Sequence, residues 1–408
     1  MKKLHQINKL DEMLIYLNSL HPKYIDFNLN RIKRLMKKLD NPEKKLPLVV
    51  HIAGTNGKGS TLSFMKHIAE EYGLKVNCYL SPHLIKFNER IVINGQIIAD
   101  KLLFKMLKEV AIKNNNAKIT FFEITTAVAF LVFSKFKSDL CIIETGLGGK
   151  LDATNILEKK NIVALTKIGF DHKEFLGRTL RQITLEKCGI LKKSTPVVIG
   201  QQRSKYVENL ILKEAKIKQA PHIKRFCIPK NWKLGLSGDH QYNNAEIAVT
   251  VMRTIYKDIK CSTIKKGLYK TQWPGRLQTI SNGKLFSERQ KITLIDGAHN
   301  IDGAIVINDH LKTLNAGKWT IILGMMNNKD VINFIKKIEK QTDMVFLTPI
   351  ENQINSFSAT QLSKKLKRFD FKTMNFNTLE QAISRAPKDK PLLITGSLYL
   401  MGEILEKN

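Results

Sequence analysis

Short apolar runs alternate along this chain with longer segments of helical periodicity. "LPLVVHIA" at 46–53 is a continuous apolar run of strand length, the pattern of a strand covered on both faces. Leu62, Met65, Ile68, Ala69 and Tyr72 then recur at helix spacing before Gly73. "VNCYL" (76–80), "DLCIIE" (139–144), "NIVALT" (161–166) and "PVVIG" (196–200) read as further strands. Asp100 is expected to cap a helix that carries Leu103, Met106, Leu107 and Val110 on one face. Another helix is expected over 124–136. Strands that alternate with helices predict an α/β fold around a mostly parallel sheet.

A second series follows: "ITLID" (292–296), "WTIILG" (319–324), "MVFL" (344–347) and "PLLITG" (391–396), again with helical patterns between them. A helix at 240–256 and the stretch "TQWPGRLQTISNGK" separate the two series, with turns marked by Pro274-Gly275 and Asn282-Gly283. The boundary is placed near 272, giving domains 1–272 and 273–408. A length of 408 residues suits two or three domains.

A hydrophobic content of 43% and a charged content of 25% are ordinary for a globular protein, but a net charge of +31 is not. Such a field favours anionic ligands. The lysines are scattered, and no lysine block is paired with an aromatic platform or recognition motif, so no nucleic-acid partner is expected. Cys78, Cys141, Cys188, Cys227 and Cys261 form no C-x-x-C and are odd in number, which argues against a disulfide framework or zinc site. The basic N-terminus lacks a long apolar stretch, and "AVAFLVF" (127–133) is too short to span a bilayer. A cytoplasmic protein without a membrane partner is the expectation, and a monomer.

The chemistry centres on "HIAGTNGKGST" at 51–61, which follows the first strand and opens a helix. Gly54, Gly57 and Gly59 permit close backbone approach, Lys58 can reach terminal phosphates, and Ser60 or Thr61 can help hold Mg²⁺. The spacing departs from G-x-x-x-x-G-K-[ST], since Ile52 stands at the first glycine and Gly59 follows the lysine. On pattern alone the loop is either a nucleotide cradle or a glycine-rich turn with a solvated lysine. "SPHLIKFNERI" (81–91), "ETGLGGKLDATN" (144–155), "TKIGFDHKEFLG" (166–177) and "LEKCGILKK" (185–193) are expected around the same sheet edge, where open α/β sheets bind ligands. They present Ser81, His83, Glu144, Asp152, Asp171, His172 and Lys187. Hard oxygen ligands with one imidazole suit Mg²⁺ better than zinc.

With these motifs, and with "YIDFNLNRIKRLMKKL" (24–39), "FFEITTA", "GDHQYNNAEIA", "WPGR", "DGAHN" and "TGSLYL" in the same order, the chain resembles the folylpolyglutamate synthase and dihydrofolate synthase family, relatives of the Mur ligases. The glycine after the lysine in "GTNGKGST" resembles that family's own loop; Mur ligases carry a hydroxyl residue there. The resemblance implies a Mur-ligase-like P-loop ATPase domain with a mostly parallel sheet and a smaller Rossmann-like C-terminal domain for glutamate ligation. It implies ATP as co-substrate, two Mg²⁺ ions and a monovalent cation. The other substrates would be L-glutamate and dihydropteroate or a folate.

By position, the resemblance gives Gly54, Thr55, Asn56, Gly57, Lys58, Gly59, Ser60, Asn244, Arg276 and Asp296 to ATP. It gives Ser81 and Glu144 to one metal and His172 to a second. Lys58, His172 and Lys187 would be catalytic, with Lys187 as the lysine carbamylated by CO₂. Asp26, Phe122, Glu123 and Leu151 would bind the pterin or folate, the Glu123 carboxylate pairing with adjacent ring N–H groups. His299 and Ser397 are further candidates on the ATP or glutamate side. Three departures stand out: Lys150 replaces the usual Arg, "MMNNKD" (325–330) replaces a more acidic segment, and Cys188 replaces a common Ala. Bifunctional activity is expected. The alternatives are a monofunctional folylpolyglutamate synthase, a Mur-type amino-acid ligase and a basic P-loop nucleic-acid-binding ATPase.

Overall fold

The computed structural model describes residues 6–23, 25–281, 283–286 and 291–408. Tyr24 and Asn282, named in the sequence motifs, lie outside them. The chain divides into two compact units. One is Met1–Lys233 with Tyr242–Thr271, and the other is Leu234–Gln241 with Gln272–Asn408.

In the first unit the apolar runs become β1 Leu48–Ala53, β2 Val76–Tyr79, β5 Leu140–Glu144, β6 Ile162–Leu165 and β7 Val197–Ile199. Three short strands join them: β3 Ile91–Ile93, β4 Gln96–Ile97 and β8 His222–Ile223. The eight strands form one sheet in the order β4-β3-β2-β5-β1-β6-β7-β8. Every pairing along β2-β5-β1-β6-β7-β8 is parallel, whereas β3 pairs antiparallel with both β2 and β4. Sequence reading missed the β3–β4 hairpin because its strands are too short to show a period. Asn94 and Gly95, with φ of 48° and 83°, make its turn.

β1 is the middle of this sheet, and the register carries Ile52 beside Glu144 and Ala53 beside Leu165. The helix Phe121–Lys135 is buried almost all round, with Ile124, Val128, Phe130 and Val132 at 0% exposure. That explains its weak amphipathicity in sequence: it is a core helix, not a surface one. Thr120 caps it, and Glu123 reaches back to complete a capping box. The helix expected to be capped by Asp100 is Asp100–Asn114, but its cap position is Ala99. Asp100 is the first helical residue and accepts instead from Asn88 Nδ2 at 2.8 Å.

The second unit has β9 Gln278–Ile280, β10 Thr293–Asp296, β11 Trp319–Leu323, β12 Thr342–Leu347, β13 Lys372–Asn375 and β14 Leu392–Thr395. Their order is β13-β12-β11-β14-β10-β9, parallel except for β9. Its core gathers Leu294, Ile307, Trp319, Ile321, Phe334, Val345 and Leu393. The expected α/β class with two largely parallel sheets is the observed one. Among the described residues no helix is long and apolar enough to cross a membrane.

Candidate active site

At the carboxyl end of β1 the chain turns through Gly54 and Gly57 into the helix Lys58–Glu71. Gly57 is the cap of that helix with φ of 91°, a left-handed conformation that penalises any side chain. A Cβ there would also come within 2.3 Å of Asn244 Oδ1, which places Asn244, on the helix His240–Ile255, against the loop. A Cβ on Gly54 would strike Thr166 Oγ1 at 1.8 Å. The loop is braced from β6: the amides of Thr55 and Asn56 both donate to the Lys167 carbonyl, at 2.9 and 3.2 Å. Thr55 Oγ1 donates to Gly169 O at 3.0 Å and accepts from Gly169 N at 3.1 Å. Thr55 is thus spent on holding the loop. The N-terminal turn of the helix, with Lys58, Gly59 and Ser60, is the part oriented for an anion.

Two lysines converge on one carbonyl. Lys58 Nζ lies 3.2 Å from Gly54 O, and Lys187 Nζ donates to the same oxygen at 2.8 Å. Lys187 is 4% exposed. Burial first, and then the charge of Lys58, bring its pKa down to about 7. "LEKCGILKK" is expected from sequence to run into a helix rather than to follow a strand, and Lys187 sits in the last turn of the helix Leu180–Cys188, whose end is packed back onto the glycine loop.

Glu144, the last residue of β5 and 4% exposed, has Oε1 3.8 Å from Lys58 Nζ. Its Oε2 accepts from Ser81 N at 3.3 Å. Ser81 Oγ is buried and has no hydrogen-bond partner, a condition that native structures rarely leave without a reason. A buried carboxylate beside an unpaired hydroxyl fits a hard divalent cation that takes its remaining ligands from phosphate and water. Among the described residues no three His, Cys, Asp or Glu side chains are gathered for a metal.

The other charged candidates have different surroundings. His172 adopts φ of 48° at the start of Lys173–Leu176, with its amide on Asp171 Oδ1 at 2.9 Å. His83 Nδ1 accepts from Arg90 Nε at 2.8 Å, so that nitrogen is not available to a metal. Asp152 is fully committed to its own loop, accepting from Leu147 N at 2.8 Å, Thr154 N at 3.0 Å and Thr154 Oγ1 at 2.5 Å.

On the "FFE" side the structure joins residues far apart in sequence. Arg31 Nε donates to Glu123 Oε2 at 2.9 Å, and its NH1 donates to Asp26 Oδ2 at 2.7 Å. Phe122 stacks on Tyr79 with ring centroids 6.1 Å apart, and a Cβ on Gly146 would overlap the Phe122 ring at 2.4 Å. Leu151 is 37% exposed in the turn of the "GLGGKLDATN" loop. Arg31 was not singled out in the sequence, although it lies in "YIDFNLNRIKRLMKKL"; nothing local marks a partner 92 residues away. Two further buried groups were missed. Lys160 Nζ donates to Asn155 Oδ1 at 2.8 Å and Ile190 O at 3.0 Å, clamping this loop to the end of the Lys187 helix. His51 Nε2 lies 2.8 Å from Thr154 Oγ1, under the same loop.

In the second unit, Asp296 ends β10. Its carboxylate accepts from Leu277 N and Ala298 N, each at 2.8 Å, which ties the turn after Arg276 to the "DGAHN" loop. His299 Nδ1 lies 2.9 Å from Gly297 O. Ser397 caps the helix Leu398–Lys407 by accepting from Tyr399 N at 3.1 Å.

A parallel sheet whose central strand feeds a glycine loop, a lysine and a buried acid, followed by a second parallel-sheet unit, defines an ATP-dependent ligase of the Mur class. Residues 52–269 match the Mur ligase middle domain, and residues 278–407 match the C-terminal domain of dihydrofolate synthetase. The chain belongs to the dihydrofolate synthase/folylpolyglutamate synthase family. It is 31% identical to the dihydrofolate synthase/folylpolyglutamate synthase of Bacillus subtilis (strain 168), over 93% of this chain and 94% of that protein. It is 32% identical to the protein of the same name from Buchnera aphidicola subsp. Acyrthosiphon pisum, over 98% and 99%. E. coli FolC in complex with DHPP and ADP superposes with a TM-score of 0.88 at 27% identity, covering 98% of this chain and 97% of that one. The bifunctional enzyme of Yersinia pestis complexed with AMPPNP and Mn ion gives 0.86 at 26%, covering 98% of each.

Proposed function

We infer that this chain joins L-glutamate to dihydropteroate and to tetrahydrofolates at the expense of ATP. A carboxylate does not react with an amine, because oxide is a poor leaving group. Transfer of the γ-phosphoryl group to that carboxylate gives an acyl phosphate. The glutamate amine then attacks the acyl carbon, the amide forms and phosphate leaves. The protein must align three reactants and offset a crowd of anions.

The observation that carries this reading is the convergence of Gly54, Lys58, Glu144 and Lys187 at the end of β1. Lys58 and the helix turn through Gly59 and Ser60 hold the ATP phosphates, with Asn244 beside Gly57. Ser81 and Glu144 would hold one Mg²⁺ and His172 a second; when bound, Mg²⁺ neutralises charge on the phosphoryl oxygens. Lys187 is suited to carbamylation because an amine with a pKa of about 7 is substantially neutral at physiological pH. Asp26, Phe122, Glu123 and Leu151 form the pterin side of the site. Arg276 and Asp296 are the remaining nucleotide residues of this reading, and the C-terminal unit takes glutamate. A monovalent cation completes the charge balance. The enzyme works as a cytoplasmic monomer without nucleic acid; the free state of all five cysteines is in keeping with a reducing compartment.

The test is one assay: purified protein with Mg-ATP, glutamate, and dihydropteroate or tetrahydrofolate in parallel. ADP release that requires both acceptor and glutamate, with either acceptor, supports the bifunctional reading. Release with tetrahydrofolate alone leaves the monofunctional one. No release with either acceptor overturns the proposal, and stimulation by DNA or RNA instead would favour a nucleic-acid ATPase.

A further inference from the structure

Glu123 is 4% exposed, and its two oxygens are in opposite conditions. Oε2 is saturated: it accepts from Thr120 N at 2.8 Å, Thr120 Oγ1 at 2.9 Å and Arg31 Nε at 2.9 Å. Oε1 is buried with no hydrogen-bond partner. Buried carboxylate oxygens are seldom left so, because the lost hydration is not replaced. Arg31 holds the arrangement from the other end, since its NH1 donates to Asp26 Oδ2 at 2.7 Å and its NH2 to Asp26 O at 2.6 Å. One planar guanidinium therefore staples the 26 segment to the helix Phe121–Lys135 and compensates the Glu123 charge.

We propose that Arg31 is a positioning residue that assigns the two oxygens of Glu123, one to the protein and one to the substrate. This rests on the reading of "FFE" as the pterin side of the site. The two-pronged pairing of the carboxylate with adjacent ring N–H groups, expected from sequence, is not open to this Glu123, because Oε2 already carries three donors. Recognition runs through Oε1 alone, so a ligand ring meets this carboxylate through N–H donors directed at one oxygen rather than two. Lysine cannot replace Arg31, because a single ammonium on a flexible stem does not reproduce the fork that meets Asp26 and Glu123 together.

The roles can be separated with Arg31→Lys, Glu123→Gln and the double variant in the full chain, by calorimetric titration with pteroic acid and with ADP. In Glu123→Gln the amide oxygen takes the capping position, since only it can accept from Thr120, and the NH₂ group then stands where Oε1 was. A donor facing a donor should weaken pteroic acid by about tenfold or more, the loss of one hydrogen bond to a charged group. Arg31→Lys should weaken it similarly, leave ADP affinity unchanged and raise KM for dihydropteroate without a matching fall in kcat. The double variant should bind no more weakly than the worse single one, because Arg31 acts through Glu123. Losses that multiply in the double variant, an unchanged pteroic acid affinity in Arg31→Lys, or equal losses of pteroic acid and ADP would each overturn the assignment. Failure of the unsubstituted protein to bind pteroic acid would overturn the folate reading itself, and this assignment with it.

Discussion

The Lys187 ammonium donates to the Gly54 carbonyl across 2.8 Å, joining a helix end to a loop 133 residues earlier in the chain. The glycine loop is therefore gripped by a charged group that is itself buried, and the charge of that group depends on pH. Its pKa stands at about 7, against 10.5 for a free lysine. In the window from about 7 to about 10.5 the unfolded chain binds more protons than the folded one, so stability rises with pH there. Below that window both forms are protonated and the full burial penalty remains. Lys187→Met should flatten this dependence. Urea midpoints for both proteins at about pH 7 and about pH 9 read the difference directly; parallel curves would count against a buried titrating amine.

Gly57→Ala should cripple nucleotide binding for two separable reasons. The left-handed φ of 91° costs an alanine about 1–2 kcal/mol, and its Cβ would lie 2.3 Å from Asn244 Oδ1. Adding Asn244→Ala removes the overlap and keeps the dihedral penalty, and because Asn244 is itself a nucleotide residue the double variant is compared with Asn244→Ala alone. ADP titration is expected to give strong loss in Gly57→Ala, and weaker binding in the double variant than in Asn244→Ala. Equal affinity of the double variant and Asn244→Ala would mean that the backbone dihedral is unimportant.

Ser81→Ala is expected to split stability from function. The hydroxyl is buried and unpaired, so its removal takes away a desolvated group and should leave unfolding midpoints unchanged or slightly higher. If Ser81 Oγ is a metal ligand, the concentration of Mg²⁺ or Mn²⁺ needed for half-maximal activity should rise severalfold. An unchanged metal requirement would remove Ser81 from the metal set.

Much of this site was legible in the sequence because its chemistry is local. The glycine loop, Glu144 at a strand end and the strand series are continuous patterns with their own periods. What was not legible is pairwise and distant. Arg31 on Glu123, Lys160 on Ile190 and His51 on Thr154 are polar contacts across 92, 30 and 103 residues that only the assembled fold creates. Sequence also offered His83 and Asp152 for a metal, since a polar residue after a strand looks alike whether it faces a ligand or its own loop. The hydrogen bonds decide: His83 is taken by Arg90, and Asp152 by Leu147 and Thr154.

His83 should remain neutral well into the acid range. Burial, and then the charge of Arg90, lower its pKa to about 4 from 6.5. Between those values the unfolded chain carries the extra proton, so acidification through this window costs stability. Arg90→Met should raise the midpoint only partway, because burial persists. Titration of the His83 ring proton by NMR measures it, and a midpoint near 6.5 in the unsubstituted protein would contradict the burial of the ring as well as its Arg90 contact.

Asp296→Asn tests the brace beneath Arg276. The two carboxylate oxygens of Asp296 each accept a backbone N–H at 2.8 Å, one from Leu277 and one from Ala298. Leu277 is fully buried and holds φ of 42°, a left-handed conformation that a leucine keeps only under constraint. Asparagine has one acceptor oxygen, so one of the two amides would face its NH₂ group. The expected cost is about 1–3 kcal/mol, read as a lower urea midpoint. If the brace also sets the direction of Arg276, ADP affinity should fall in the same variant. A drop in stability with unchanged ADP affinity would leave Asp296 a structural residue and show that the brace does not direct Arg276.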